Sequence, residues 1–529
     1  MEYDTPGFLG FRGPTKGFFD TWIIDDDGDD RLGLDRLNLE PERSTRGRSL
    51  LRHRQYLPND YEFIAELGWI SDRNFLEQYL ENEWDQDKDH ETGLRLRRHL
   101  GSQMFDLSAN VQINDFFSET ERLPALDHYV LGGSLGRLFT WSAHNHVSYS
   151  RVNTADTPEN AAEAAEQSPI PGDSNNSGIV ASTKQELSLP VGLGPIKVVP
   201  YISGQASHYG EALDGDSLTR LIGQAGIRAS LPMSKSDSTI QSSLLNIRGL
   251  AHKLEWQAEY FFADSDTNSD ELPFYDPLDD NAQEQFRRRF IQDTFGGFLP
   301  DQFDPRTYAF RQGLQRSVTN PSDVIADDLE QLRLGLHQRW QTKRGLPGRE
   351  RIVDILQLDT DLLIFPNADR DNFGEQIGPA TYDFRYHLGD RYSILSDGYF
   401  DFFDDGLRSV SAGIRTSRPG RGDTYIGLLS LEGPISSTVL RTSIDYRLNE
   451  KWIFSGGTSY DFGNTGNIGQ TLGFTRIGES LLVRLQVNVD TGRDNVGVGF
   501  SISPRFWPSQ RLGSLGGQLI PPPGVNGLE

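Results

Sequence analysis

The feature that most constrains this chain is a strict alternation of apolar and polar residues in many long segments. In LEWQAEYFF the apolar side chains occupy every second position, and Glu255, Gln257 and Glu259 lie between them. The same alternation recurs in residues 61–70, 106–113, 382–388, 440–448 and 481–502. Because successive side chains of a strand point to opposite faces, these segments predict β-strands with one apolar and one polar face.

Strand length and the charges on the polar faces decide between two all-β architectures. Many of the segments run for about 9 to 12 residues, whereas strands of soluble proteins average about 5 to 6. A tilted strand that crosses an outer membrane needs about 9 to 11 residues, with apolar side chains toward lipid and polar ones toward a wet lumen. The sequence therefore predicts a large antiparallel transmembrane outer-membrane β-barrel of roughly 20 to 26 strands. A soluble all-β protein with packed sheets is the alternative, and it predicts solubility without detergent.

Composition excludes several classes of function. Apolar residues make up 36% of the 529 residues and the formal net charge is −25, which argues against nucleic acid as a partner. The absence of cysteine excludes disulfides, thiolate metal sites and a cysteine nucleophile. No window approaches the run of about 20 apolar residues that a spanning helix needs. The first residues, MEYDTPGFLGFRGPTKG, do not have the pattern of a signal peptide.

The links between strands predict the domain organisation. LNEK and TGRDN have the length of tight turns, whereas residues 155–178 predict a mobile polar loop. Residues 265–324 predict a longer loop with a short helix lined by Phe286, Phe290 and Ile291. We expect long loops on one rim of a barrel that spans residues 50–507. Residues 1–49 would be an N-terminal segment of early strands or a linker, and residues 508–529 a Pro/Gly-rich periplasmic tail.

One stretch departs from the alternation. In SDRNFLEQYLENEWD, the apolar side chains of Phe75, Leu76 and Tyr79 have the spacing of an amphipathic helical turn. Ser71 or Asp72 would cap this helix, and its acidic residues would face water. We expect the turn to pack over the barrel mouth, with direct contact to a substrate or plug as the alternative.

The same stretch carries a resemblance to a known family. LPNDYEFIAELGWISDRNFLEQYLENEWD, together with VQINDF and ERLPALDHY, resembles the barrel of the LptD family, also called organic solvent tolerance (OstA) proteins. These are outer-membrane proteins that assemble lipopolysaccharide at the cell surface. The similarity is strongest over residues 50–130, and beyond them it rests on strand pattern and length.

The resemblance implies a translocon that inserts lipopolysaccharide or a related glycolipid into the outer leaflet through a lateral gate between the first and last strands. It also implies an LptE-like plug lipoprotein in the lumen, periplasmic bridge proteins and the barrel-assembly machinery as partners. The chain departs from the family because it lacks a recognisable jelly roll before residue 50, the cysteines of well-known members and an export signal. The alternative from another class is a porin-like passive or substrate-specific diffusion channel.

Proline and aromatic residues mark the expected gate. Proline lacks the N–H that a strand ladder needs, so prolines next to the first and last clear strands are suited to weaken a seam. The residues predicted for this seam are Pro58, Tyr61 and Phe63 at the first strand, and Phe500, Ile502, Pro504 and Phe506 at the last. The alternative is that Pro58 only starts a strand and Pro504 only ends one.

Chemistry of other kinds has little support in the sequence. His144 and His146 share a strand face, where two imidazoles can hold a metal, but two lumen-facing histidines without metal are the favoured interpretation. WIIDDDGDDRLGLD places Ile23 where a calcium loop requires Asp, so it predicts a solvated acidic turn. No nucleophile, zinc-hydrolase or nucleotide motif is present. We therefore predict no enzyme, no cofactor and no metal site.

Overall fold

The computed structural model describes residues 2–8, 10–33, 36–86, 88–167, 174–273, 275, 286–346, 348–463 and 465–505. Its main feature is one antiparallel sheet of 24 strands, which confirms the predicted fold class and lies within the predicted range of strand number. Each strand pairs with the next strand of the sheet along the chain. Within the described residues, no helix is long and apolar enough to cross a membrane.

The first half of the sheet begins at Glu2, whereas the sequence predicted that the barrel begins at residue 50. Its strands are β1 Glu2–Phe8, β2 Phe11–Asp25, β5 Thr45–Leu57, β6 Tyr61–Ile70, β7 Thr92–Leu100, β8 Gln103–Val111, β9 Glu119–Leu135, β10 Phe139–Asn153, β11 Ser177–Ser188, β12 Val191–Leu193, β13 Ile196–Tyr209, β14 Leu218–Ser242 and β15 Ile247–Ser265. β3 Asp30–Gly33 and β4 Arg36–Leu39 form a separate hairpin. β11 and β12 are two segments of one position in the sheet, because both pair with β13.

The second half of the sheet is a regular meander. Its strands are β16 Leu329–Arg344, β17 Arg351–Ile364, β18 Ile377–Leu388, β19 Tyr392–Phe400, β20 Arg408–Arg418, β21 Gly422–Glu432, β22 Ser437–Arg447, β23 Trp452–Asp461, β24 Gly466–Ile477, β25 Leu481–Asp490 and β26 Asn495–Pro504. The helices are short: α1 Phe75–Tyr79, α2 Glu81–Gln86, α3 Ala161–Glu166, α4 Asp293–Phe295, α5 Pro305–Arg311 and α6 Ala368–Asp371. A wider helical turn, Phe286–Gln292, contains the three residues that predicted a helix there.

The links between strands differ strongly at the two ends of the sheet. At one end, which we call the turn rim, they contain two to six residues. At the other end, the loop rim, the links include residues 26–44, 71–91, 154–176 and 266–328. Short turns on one rim and long loops on the other are the arrangement of outer-membrane barrels.

The two faces of the sheet differ in the same way along neighbouring strands. Leu96, Leu107, Leu126 and Val147 lie directly opposite one another on β7 to β10, and all four are exposed. One residue further along, the inner row consists of Arg97, Asp106, Asp127 and His146. An exposed apolar row is favourable only where lipid covers it. The strands therefore form a transmembrane barrel of the outer membrane, with a charged lumen.

Candidate functional site

A row of acidic side chains crosses the inner wall of the lumen. Asp359, Asp383 and Asp397 lie directly opposite one another on β17, β18 and β19. Like charges in this position repel each other, so neighbouring groups must compensate for them. His337 approaches Asp359 with 3.0 Å between Nδ1 and Oδ1, and Arg385 donates to Asp383 at 2.8 Å. The row gives this side of the lumen a polar, hydrated surface.

The long link 266–328, which we call the lumen loop, packs against the inner faces of β11 to β16. Ser182 donates to a carboxylate oxygen of Asp323 at 2.5 Å, and burial raises the pKa of Asp323. Lys184 donates to backbone carbonyl groups of the loop at 315 and 317. Arg220, which is fully buried, donates to the carbonyl groups of residues 324 and 326. These polar wall residues therefore hold the loop through the Asp323 carboxylate and through backbone carbonyl groups.

A buried ion pair fixes the lumen loop to the loop-rim links that follow β17 and β19. Arg311 at the end of α5 donates to Asp401 Oδ1 at 2.6 Å and, through Nε, to Asn372 Oδ1 at 2.9 Å. Both charged side chains are almost completely buried. The guanidinium also lies 5.3 Å from the ring centre of Phe403. Sequence reasoning missed this pair, because its members are 90 residues apart and neither belongs to a motif.

The stretch SDRNFLEQY belongs to a cap on the loop rim, formed by the β3–β4 hairpin with α1 and α2. Arg46 at the start of β5 binds two carboxylates: Nη1 lies 2.5 Å from Asp30 Oδ1, and Nη2 lies 2.6 Å from Asp72 Oδ1. All three side chains are buried. The predicted solvated acidic turn is therefore wrong for Asp30, because this residue neutralises a buried arginine.

The helix of the cap begins differently from the prediction. Its N-cap is Asn74, and Ser71 and Asp72 do not cap it, because Ser71 donates to Asp72 and Asp72 holds Arg46. Glu77 is also buried rather than facing water, because it pairs with the buried Arg36.

The apolar side chains of the cap pack where the sequence predicted. Phe75 and Leu76 are buried in one cluster with Ile70, Trp84 and Phe117. Tyr79 packs against this cluster and donates to Asp26 at 2.7 Å, and its burial together with this hydrogen bond raises the pKa of Tyr79 to about 12. The cap is therefore a packed cover on the loop rim, held together by a buried apolar cluster and by buried ionic contacts.

The first and last strands leave a seam in the sheet. Among the residues that the structure describes, β1 pairs with β2 alone and β26 with β25 alone. Val498 on β26 is 70% exposed, compared with 48% for Leu485 on β25, as expected for a strand with one free edge. β1 and β26 both run from the loop rim to the turn rim. A ladder between them would be parallel, which is less stable per residue than an antiparallel one.

Prolines interrupt the first hairpin. The pairing of β1 with β2 passes from Thr5–Thr15 to Gly7–Arg12, so that Pro6 and Pro14 contribute no ladder pair. Gly13 has a φ of +146°, and a Cβ there would lie 1.7 Å from the Tyr56 carbonyl oxygen. The near-symmetric sequence TPGFLGFRGPT is the signal that would have revealed this hairpin.

Three of the predicted gate residues lie elsewhere. Tyr61 and Phe63 are on β6, which pairs with β5 on one side and β7 on the other, and Pro58 lies in the turn before β6. Their prediction as the first strand was wrong, because β1, β2 and β5 precede them in the sheet. Phe500, Ile502 and Pro504 do lie on β26, the last strand. Phe506 and the tail 508–529 lie outside the described residues.

The two histidines of β10 form a polar cluster with a carboxylate. His144 Nε2 and His146 Nδ1 each lie 2.8 Å from Asp127 Oδ1. In the part of the chain that the structure describes, no group of three or more His, Asp or Glu side chains has an arrangement suited to a metal ion. His144, His146 and Asp127 form a hydrogen-bonded cluster on the inner wall.

Comparisons with known proteins give no family. Neither a family model nor a curated protein matches the chain. Among solved structures, the siderophore receptor PirA from Pseudomonas aeruginosa matches 93% of this chain and 72% of its own, with 7% identity and a TM-score of 0.32. A mutant porin of Rh. blastica matches 62% of this chain and 90% of its own, with 10% identity and a TM-score of 0.22. TM-scores of this size do not establish a shared fold, so the barrel is inferred from the chain's own strands.

Proposed function

We propose that this barrel transfers lipopolysaccharide or a related glycolipid into the outer leaflet through the seam between β1 and β26. The observation that carries the proposal is that, in the described residues, β1 and β26 each pair on one side only, with Pro6 interrupting the ladder of β1 and Pro504 ending β26. A closed barrel leaves no edge for a membrane-embedded substrate, whereas an open seam joins the lumen directly to lipid.

The composition of the wall suits an amphiphile with a sugar head group. The inner face is lined by charged and hydroxyl side chains, and the outer face of β26 is lined by Val496, Val498, Phe500 and Ile502. A hydrated saccharide would contact the inner face, while acyl chains would stay at the apolar outer face of the seam. Because lipopolysaccharide and the acidic row both carry negative charge, we expect divalent ions to accompany the sugar.

The resemblance of residues 50–130 to the LptD family supports the same proposal. It suggests a plug lipoprotein, periplasmic bridge proteins and the barrel-assembly machinery as partners, and these stay predictions. The lumen loop covers the wall formed by β11 to β16, which reduces the open cross-section available to passive diffusion.

A porin-like channel is the second candidate. At the loop rim, the links that join β21 to β26 contain four residues each, too few to cover the lumen on that side. Water and small solutes would enter there without opening the seam. Steady ion conductance by the purified barrel in a planar bilayer would favour this function.

Photocrosslinking in cells that make the full-length protein tests the proposal. A photoreactive residue at Thr5 or Phe500 would report on the two sides of the seam, and one at Phe63 provides a matched control on a strand paired on both sides. We expect ATP-dependent adducts with lipopolysaccharide at the seam positions and none at Phe63. Equal adducts at all three positions, or none at the seam, would refute the lateral route.

A further inference from the structure

Two side-chain contacts join the last hairpin of the sheet to the cap. Arg31 Nη1 donates to the backbone carbonyl of Asp494 at 3.0 Å, and Arg493 Nη2 lies 3.1 Å from Glu81 Oε1. Arg493 and Asp494 belong to the turn between β25 and β26, whereas Arg31 is in β3 and Glu81 is in α2. The loop-rim end of β26 therefore lies beside the cap, which the chain builds after β2 and β6.

The arginine of the turn is held in place. Its side chain is 11% exposed, although it belongs to a four-residue link at the rim. Its backbone N–H donates to Asp490 Oδ1 at 3.1 Å, and its guanidinium lies 3.7 Å from the other oxygen of the same carboxylate. Arg493 therefore reaches the cap from a fixed backbone.

The two contact residues of the cap are held by hydrogen bonds and ion pairs to neighbouring elements. The backbone N–H of Arg31 donates to Gln78 Oε1 on α1 at 3.0 Å. Glu81 begins α2, whose Glu83 binds Arg48 of β5, and Arg48 also donates to Asp20 of β2 at 2.6 Å. The contact residues are thus tied to the second and third strands of the sheet. A movement of the last hairpin away from the first strands must break both contacts.

We propose that the cap is a clasp that holds the last hairpin against the first strands at the loop rim. In the described residues no backbone ladder joins β1 to β26. The clasp contacts therefore help to hold the two strands together at the loop rim, where hydrogen bonds of a ladder would otherwise do so. Glu81 is half exposed, so its contact is weak and is screened by salt. The clasp therefore holds the seam closed and releases it at low cost. This inference depends on the seam and not on which substrate passes through it.

Distance measurements across the seam test the clasp in the full chain, reconstituted in lipid. The chain has no cysteine, so cysteines introduced at Asp4 of β1 and Val496 of β26 take spin labels at these two sites alone. Double electron–electron resonance should give one narrow distance distribution for the parent protein. For the R31A/R493A variant we expect a longer mean distance and an open fraction increased about fivefold to tenfold, as two weak polar contacts predict. Salt at about 1 M should widen the parent distribution in the same direction.

Matched variants separate the clasp from a general loss of stability. Arg415→Ala removes a partly exposed ion pair, with Asp423, between the paired strands β20 and β21, and should leave the seam distance unchanged. E81A and R493A should each widen the distribution. Because both substitutions remove the same contact, E81A/R493A should widen it no further than R493A alone. An unchanged distribution in R31A/R493A, with the barrel still folded, would overturn the inference. Loss of lipid adducts in the crosslinking experiment would refute the proposed function and leave this measurement unaffected.

Discussion

Replacing Arg311 with methionine should release this end of the lumen loop from the loop-rim links after β17 and β19 while the barrel stays folded. Arg311 supplies the cation for Asp401, which is completely buried, and it also donates to Asn372. Methionine fills much of the same volume but cannot donate to either oxygen. The substitution therefore leaves a carboxylate without its cation in a site shielded from water.

The size of the effect follows from that geometry. Removing one partner of a buried ion pair costs about 3–5 kcal/mol, because the remaining charge stays desolvated. A tenfold change in population corresponds to about 1.4 kcal/mol, so the detached state of the loop should become about 100 to 4,000 times more populated. The strand ladders do not depend on this pair, so the cost falls on the loop.

Hydrogen exchange measured by mass spectrometry is the appropriate assay. Amides of residues 299–328 should exchange faster in R311M by a factor of that order, while amides of β20 to β26 keep their protection. Arg385→Met serves as the control, because its pair with Asp383 is exposed and lies on the inner wall away from the loop. Unchanged protection of the loop in R311M, with normal heat-modifiable migration of the barrel, would refute this reasoning.

Three further predictions concern the first strands and the cap. Gly13→Ala should reduce the folded, heat-modifiable fraction, because its Cβ would meet the Tyr56 carbonyl, whereas Gly192→Ala, with open space around it, should not. P6A/P14A should slow hydrogen exchange in the first hairpin by restoring two N–H groups, and Pro58→Ala should leave that exchange unchanged. Burial, with the charges of Arg48 and Arg52, lowers the pKa of His90 from 6.5 to about 4. Between these two pH values, the unfolded chain therefore binds more protons than the folded chain. The cap should lose stability as the pH falls from about 6.5 to 4. The loss should be smaller in H90Q when the melting temperature is measured against pH.

The sequence predicted the barrel because the physical cause of its strands is local. Each strand shows an alternation that is complete within about ten residues, so Leu107 and Asp106 can be assigned to opposite faces without knowing their neighbours. The residues of the last strand were found for the same reason. The buried turn of the cap was also visible, because Phe75, Leu76 and Tyr79 repeat at helical spacing.

The remaining errors come from contacts that no local pattern contains. Residues 1–49 could be predicted only as early strands or a linker, because β1 consists of EYDTPGF, where Pro6 and Gly7 hide the alternation. Asp30 was interpreted as solvated, because its arginine partner is 16 residues away and is brought to it by β5. The same holds for Arg311 and Asp401, which are 90 residues apart in the sequence and meet only once β16 to β19 are in place.

The position of the lumen loop has a consequence for the order of assembly. All of its polar anchors named above, including Lys184, Arg220 and Asp401, precede β20 in the chain. The loop can therefore dock on a growing, still open sheet before the last seven strands are added. Docked in this way, it would act as an internal template that sets the curvature of the wall, and the final strands would close around a core that already exists.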